Sequence, residues 1–274
     1  MKKSTFVIGT GVFGACLLLF ACSGTGQTGA PVGGRAAEMM PVETIGQVAV
    51  YKGGRGQGQS VIFVHGTPGS ASAWNDYLDD VPEGMDYVAI DRPGFGASEP
   101  KAVMPLMSDQ ALALEPLLPT DGGRAILVGH SLGGPIIAKA AVLYPQRVGG
   151  LVILAGSLDP SLEKIHWIQH IGRWWPISKL IPSSLDHSNR EIFALERELE
   201  ILGDQLDTID VPVIIIHGTK DRLVPYENVA FMEERMTGAR LEIVTLEGQN
   251  HFLPWNSKAI VDDAIMRLSK SIRE

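Results

Sequence analysis

The sequence predicts an α/β fold: a mostly parallel, twisted sheet with helices on both faces. Two observations lead there. Short, continuous apolar runs recur along the chain, the mark of strands buried on both faces. Helical stretches separate them, the alternation expected of a parallel sheet. A third observation adds a feature. One interval of nearly 60 residues breaks the alternation and reads as a small helical cap inserted between two core strands.

The strands are read at Val48–Tyr51, Val61–Val64, Tyr87–Ile90, Ala125–Val128, Leu151–Leu154, Val213–Ile216 and Leu241–Val244. Helical stretches are expected near 71–80, 107–118, 132–144, 225–237 and 256–272. The cap, at 158–207, holds Ile165, Trp167, Ile168, Trp174 and Trp175, then an acidic helical stretch near 189–203. The core is thus split into 47–157 and 208–274.

A chain of 274 residues suits one large domain with an insertion. With 45% hydrophobic and 20% charged residues it can bury a full core. The net charge of -8, without a basic stripe, argues against a nucleic-acid partner. Both cysteines, Cys16 and Cys22, fall in the first 22 residues, so the body has no disulfide framework or thiolate metal site.

The N-terminus reads as an address. Lys2 and Lys3 precede Phe6–Phe20, an uncharged and mostly apolar stretch that is short for a bilayer span. Leu19-Phe20-Ala21-Cys22 resembles the lipobox of bacterial lipoproteins, with Phe20 departing from its small-residue pattern. The resemblance implies a signal peptide at 1–21, cleavage before Cys22, lipidation of Cys22, and a flexible tether over 22–46. The expected location is the bacterial cell envelope, lipid-anchored, facing the periplasm from the outer membrane in a Gram-negative cell. An ordinary secreted or periplasmic protein is the alternative. Gly9-x-Gly11-x-x-Gly14 fits a dinucleotide fingerprint as a string, but it follows no core strand and opens no βαβ helix.

The chemistry concentrates at Gly129-His130-Ser131-Leu132-Gly133-Gly134, directly after one strand and opening a helix. G-x-S-x-G in that context is a nucleophile elbow. Small flanking residues let a sharp turn lift the serine hydroxyl above the sheet, where free helix N–H groups favour negative charge.

With HGTPG at 65–69, DRPGFGAS at 91–98, GHSLGG at 129–134, HGTKDRLVP at 217–225 and GQNHF at 248–252, residues 47–274 resemble the α/β-hydrolase family. The resemblance implies the α/β-hydrolase fold, with the cap after its sixth strand. It implies Ser131 as nucleophile, His251 as base and Asp221 as the orienting acid, in the chain order this fold uses. Asp159 is the rival acid, and Asp91 is expected to tie its loop. Backbone N–H groups of Thr67 and Leu132 would form the oxyanion hole, leaving His65 structural. His166 and His170 are spaced like a metal pair but lack a third ligand, so neither metal nor organic cofactor is expected.

The expected activity is hydrolysis of a carboxylic ester through an acyl-enzyme, on a small-molecule acyl substrate. Trp167, Trp174 and Trp175 offer an apolar roof for substrate, or simply seat the cap. C–C bond hydrolysis, lactonase, amidase and thioesterase activity remain open. An aminopeptidase would need acidic cap residues such as Glu191, Glu196, Glu198 and Glu200. A non-catalytic binding lipoprotein is the reading from another class.

A first prediction concerns the anchor. Cys22→Ser should shift the mature protein from the membrane to the soluble fraction; a variant cleaved and retained like its parent rules the lipid anchor out.

Overall fold

The computed structural model describes residues 32–99, 101–163 and 181–273. Eight strands form one sheet: β1 (Glu38–Val42), β2 (Gly46–Gly54), β3 (Gln59–Val64), β4 (Met85–Ile90), β5 (Ala125–His130), β6 (Val148–Leu154), β7 (Val213–Gly218) and β8 (Leu241–Leu246). Their order is β1-β2-β4-β3-β5-β6-β7-β8. β1 and β2 run antiparallel to their neighbours, and every pairing from β4 to β8 is parallel. This is the α/β-hydrolase fold.

Every expected strand is the core of an observed one. The reason is visible in burial. β5, β6 and β7 are buried at every position, so their sequences need no polar alternation. Successive side chains nonetheless point to opposite faces and feed two separate cores. Ile62, Val64, Leu127, Ile153 and Ile215 pack on one side with Ile136, Ile137 and Leu199. Phe63, Val128, Val152, Leu154 and Ile216 pack on the other with Trp74, Tyr77, Val261 and Ile265.

The helices follow the expected positions with shifted ends. A 3-10 turn at Ala71–Trp74 runs into a helix at Asn75–Asp79. The stretch expected at 107–118 is a helix at Met107–Leu112 and a separate 3-10 turn at Glu115–Leu117, broken where Pro116 removes a backbone donor. Helices Gly133–Leu143, Asn228–Arg235 and Lys258–Arg273 complete the layers.

Two expectations change. The tether assigned to 22–46 enters the fold well before residue 46. β1 pairs with β2, Met40 opposite Val48, while Val32, Val42 and Ile45 are buried. Pro41 is tolerated because β1 is an edge strand. The acidic stretch of the insertion is also longer than read: its helix is Ser183–Gly203, starting in the polar run SSLDHSN. Its inner face repeats at helical spacing through His187, Ser188, Glu191, Leu195, Leu199 and Leu202. Residues 1–31, with Cys22 and the proposed signal peptide, lie outside the described residues, as do His166, Trp167, His170, Trp174 and Trp175.

Trp74 is fully buried against Phe63, ring centroids 5.0 Å apart, and against Tyr77 at 5.5 Å. Trp74→Ala should lower unfolding free energy by about 3–5 kcal/mol in urea titration, the usual cost of deleting a buried indole.

Candidate active site

The sheet order reverses around β3, which lies between β4 and β5 although it precedes both in the chain. Loops leaving such a point open a crevice at the carboxyl ends of the strands. The segments after β3, β5, β7 and β8 carry the chemistry-bearing side chains to that edge.

Ser131 sits directly after β5 with φ of 55°, a left-handed conformation rare for a residue with a side chain. Its N–H donates to the Leu154 carbonyl at 2.9 Å, and its carbonyl accepts from Gly134 at 2.9 Å. The glycines explain themselves. A Cβ on Gly129 would strike the backbone of Gly133, and one on Gly133 would strike the Val64 carbonyl. A Cβ on Gly66 would come within 2.9 Å of the Ser131 Cβ. The loop after β3 therefore lies directly against the serine.

His251, 6% exposed, follows β8. Its Nδ1 lies 2.7 Å from Asp221 Oδ2. The other Asp221 oxygen accepts from the N–H groups of Leu223 and Val224, both at 2.9 Å. Burial alone would raise this carboxyl, but the His251 contact and the two amides hold it below its ordinary range. Asp221 is thus an anion fixed on one side by backbone and on the other by the imidazole. Asp159, the rival, accepts from Ser161 N at 2.9 Å and Ser161 Oγ at 2.7 Å, capping its own 3-10 turn.

Among the described residues, the other histidines are occupied. His65 accepts from Arg92 N at Nε2, 3.0 Å, so Nδ1 carries the proton and donates to the Gly66 carbonyl at 2.7 Å. Burial, then the nearby Arg92 charge, push His65 well below its ordinary pKa. His130 donates from Nε2 to the His251 carbonyl at 2.9 Å, and the two rings lie tilted against each other with centroids 4.6 Å apart. This seats the loop that carries His251. His217 donates to the Val224 carbonyl at 3.0 Å, within the Asp221 turn. Asp91 accepts from Ala71 N, Ala97 N and Tyr51 Oη, tying its loop as expected.

Sequence reasoning missed how the long inserted helix reaches this rim. Arg92, fully buried, makes a two-pronged pair with Glu191, at 2.6 and 3.1 Å. Ser188, one turn earlier on that helix, accepts from Thr67 Oγ1 at 2.8 Å. His187 Nδ1 donates to the Gly94 carbonyl at 2.7 Å. Three of the four acidic residues considered for holding an amine are otherwise engaged. Glu191 is neutralised by Arg92, Glu198 accepts from Met107 N at 2.8 Å, and Glu200 faces Arg197 at 3.4 Å. Asn228 was also missed. Its Oδ1 accepts from Leu158 and Asp159 amides at 2.7 and 2.8 Å, bracing the segment after β6.

Comparison with known proteins agrees with this architecture. A model of the α/β hydrolase fold family matches residues 59–179. The chain is 26% identical over 256 residues to a 2-hydroxy-6-oxononadienedioate/2-hydroxy-6-oxononatrienedioate hydrolase of Burkholderia vietnamiensis, spanning 78% of this chain and 88% of that protein. It is 23% identical over 243 residues to a pimeloyl-(acyl-carrier protein) methyl ester esterase of Aeromonas hydrophila, 72% of this chain and 89% of that one. Among solved structures, the 2-hydroxy-6-oxo-6-phenylhexa-2,4-dienoate hydrolase of Rhodococcus sp. shares the fold. Its TM-score is 0.67 at 18% identity, over 86% of this chain and 99% of that chain. Fold and likeness agree on the α/β-hydrolase fold.

The buried histidines generate a pH prediction. Burial, then the neighbouring His251, push His130 down to about 3, against 6.5 in the open. Between those values the unfolded chain binds a proton that the folded one refuses. This contribution is complete above pH 6.5 and is lost as pH falls, at about 1.4 kcal/mol per pH unit for one proton. Urea midpoints at pH 7, 6 and 5 should fall, and His130→Gln should flatten that slope. An unchanged slope in the variant assigns the effect elsewhere.

Proposed function

We propose that the protein is a serine hydrolase acting on a carboxylic ester or related acyl compound through a Ser131–His251–Asp221 triad. The observation that carries the reading is the 2.7 Å contact of His251 Nδ1 with a buried, amide-braced Asp221, on a loop whose His251 carbonyl is bonded by His130, the residue before the left-handed Ser131.

With Nδ1 donating to Asp221, the imidazole keeps Nε2 free to accept a proton. Ser131 Oγ loses its proton to that nitrogen as it bonds to the acyl carbon. Charge develops on the acyl oxygen, and the N–H groups of Thr67 and Leu132 receive it. Such donors contribute about 3–4 kcal/mol each because they are oriented before charge appears. His251 then returns the proton to the departing alcohol. Water, activated by the same nitrogen, clears the acyl-enzyme. Asp221 holds the tautomer and stabilises the imidazolium throughout.

The esterase likeness supports an ester substrate. A second reading, cleavage of a C–C bond beside a carbonyl, is favoured by the dienedioate hydrolase likeness over 78% of the chain. A panel of short esters, lactones, amides and β-diketones separates the two. In both readings the body works at a membrane surface, held there through Cys22.

A fluorophosphonate probe should label the wild type and leave Ser131→Ala unlabelled; equal labelling ends the proposal. Turnover of a short p-nitrophenyl ester should fall by about 10³-fold or more in His251→Ala, the scale on which triad members act as a unit.

A further inference from the structure

The amide between Gly66 and Thr67 has two ends. Its N–H belongs to Thr67 and is the oxyanion donor proposed above. Its oxygen is the Gly66 carbonyl. That oxygen accepts two hydrogen bonds, from Arg92 Nη2 at 3.0 Å and from His65 Nδ1 at 2.7 Å. A trans amide is planar, with N–H and C=O pointing in opposite directions. Whatever fixes the oxygen therefore fixes the direction of the N–H. Hydrogen bonds in series also polarise one another, and a charged donor does so most strongly.

Arg92 is suited to this. It is fully buried, so its charge acts unscreened by water. Glu191 holds it by both prongs, and the Phe95 ring lies 4.6 Å from its guanidinium carbon. Its own backbone N–H fixes the His65 tautomer that supplies the second donor. Glu191 and Ser188 lie on one face of the inserted helix Ser183–Gly203. One grips Arg92, behind the Gly66 oxygen, and the other grips Thr67 Oγ1, beside the N–H.

We infer that Arg92, held by Glu191, is a positioning residue for the oxyanion hole: it aims and polarises the Gly66–Thr67 amide and ties the inserted helix to catalysis. The inference rests on the triad reading for its catalytic consequence, and on geometry alone for the amide itself.

The test replaces both charges, since removing one would strand the other in the interior. Arg92→Met/Glu191→Met should fold, with a melting temperature close to the parent's. On a short p-nitrophenyl ester kcat should fall about tenfold or more, below the 10²–10³ expected when a donor is lost outright. KM should stay level, because the donor acts on charge present only in the transition state. Affinity for a trifluoromethyl ketone, which forms a tetrahedral oxyanion on the serine, should drop by the same factor. Independently of turnover, the Thr67 amide proton should shift upfield in a ¹H–¹⁵N spectrum. If the double variant fails to fold, Arg92→Lys is read in the same way, because a lysine cannot hold Glu191 by two prongs and Gly66 together.

A folded variant with parental kcat, ketone affinity and Thr67 shift overturns the inference. Absence of Ser131-dependent fluorophosphonate labelling in the wild type overturns instead the triad reading, and only the Thr67 shift then decides the polarisation.

Discussion

The close approach of backbone at the end of β5 governs this molecule. Gly129, Gly133 and Gly66 bring three stretches of main chain so near that none has room for a Cβ. Ser131 is held at φ of 55° between them. That conformation is costly for a residue with a side chain, on the order of 1–3 kcal/mol, and persists only where the surroundings over-determine it. Here they do. The neighbouring strands β3 and β6 are parallel to β5 and buried, and the Ser131 N–H is satisfied by the end of β6. Strand burial, glycine packing and serine exposure are one constraint seen at three scales.

Around that turn the interior sorts its charges. His65, His130 and His217 are buried, each with a ring nitrogen bonded to a backbone carbonyl, and burial lowers all three. They act as neutral struts for the loops they join. His251 differs because its partner is a carboxylate. Asp221 in turn stays charged because two amides and an imidazole compensate its desolvation. One imidazole out of this group thus faces a carboxylate, while its neighbours hold the backbone still.

Most of this was legible in the sequence for a physical reason. Strands buried on both faces must be continuously apolar, so VIFV, AILV, LVIL and VIII announce themselves. The elbow needs glycine at fixed offsets, so GHSLGG does too. Elements that carry only part of such a load were silent. β1 buries one residue in five, Val42, and contains a proline, so it reads as linker. The Arg92–Glu191 pair joins residues 99 apart, and no local pattern says which of four nearby glutamates turns inward. The helical spacing of Leu195, Leu199 and Leu202 does contain that answer. Extended back by one turn it reaches Glu191, on the same buried face.

That inward glutamate sharpens the case for a working role. A buried ion pair is poor evidence of stabilisation, because stripping water from two charges costs about as much as their attraction returns. An apolar pair of similar volume would join the two elements at least as firmly. What it would not do is hand a charged donor to the Gly66 oxygen at 3.0 Å while the same residue's N–H fixes the His65 tautomer. The stability argument thus leaves the pair unexplained, and the orientation argument accounts for each of its contacts. It also gives the inserted helix a reason to touch the loops after β3 and β4 from positions one helical turn apart, Ser188 at Thr67 and Glu191 at Arg92. A helix that moved away would release both ends of one amide together. Substrate access and oxyanion stabilisation would then be set by the same packing contact.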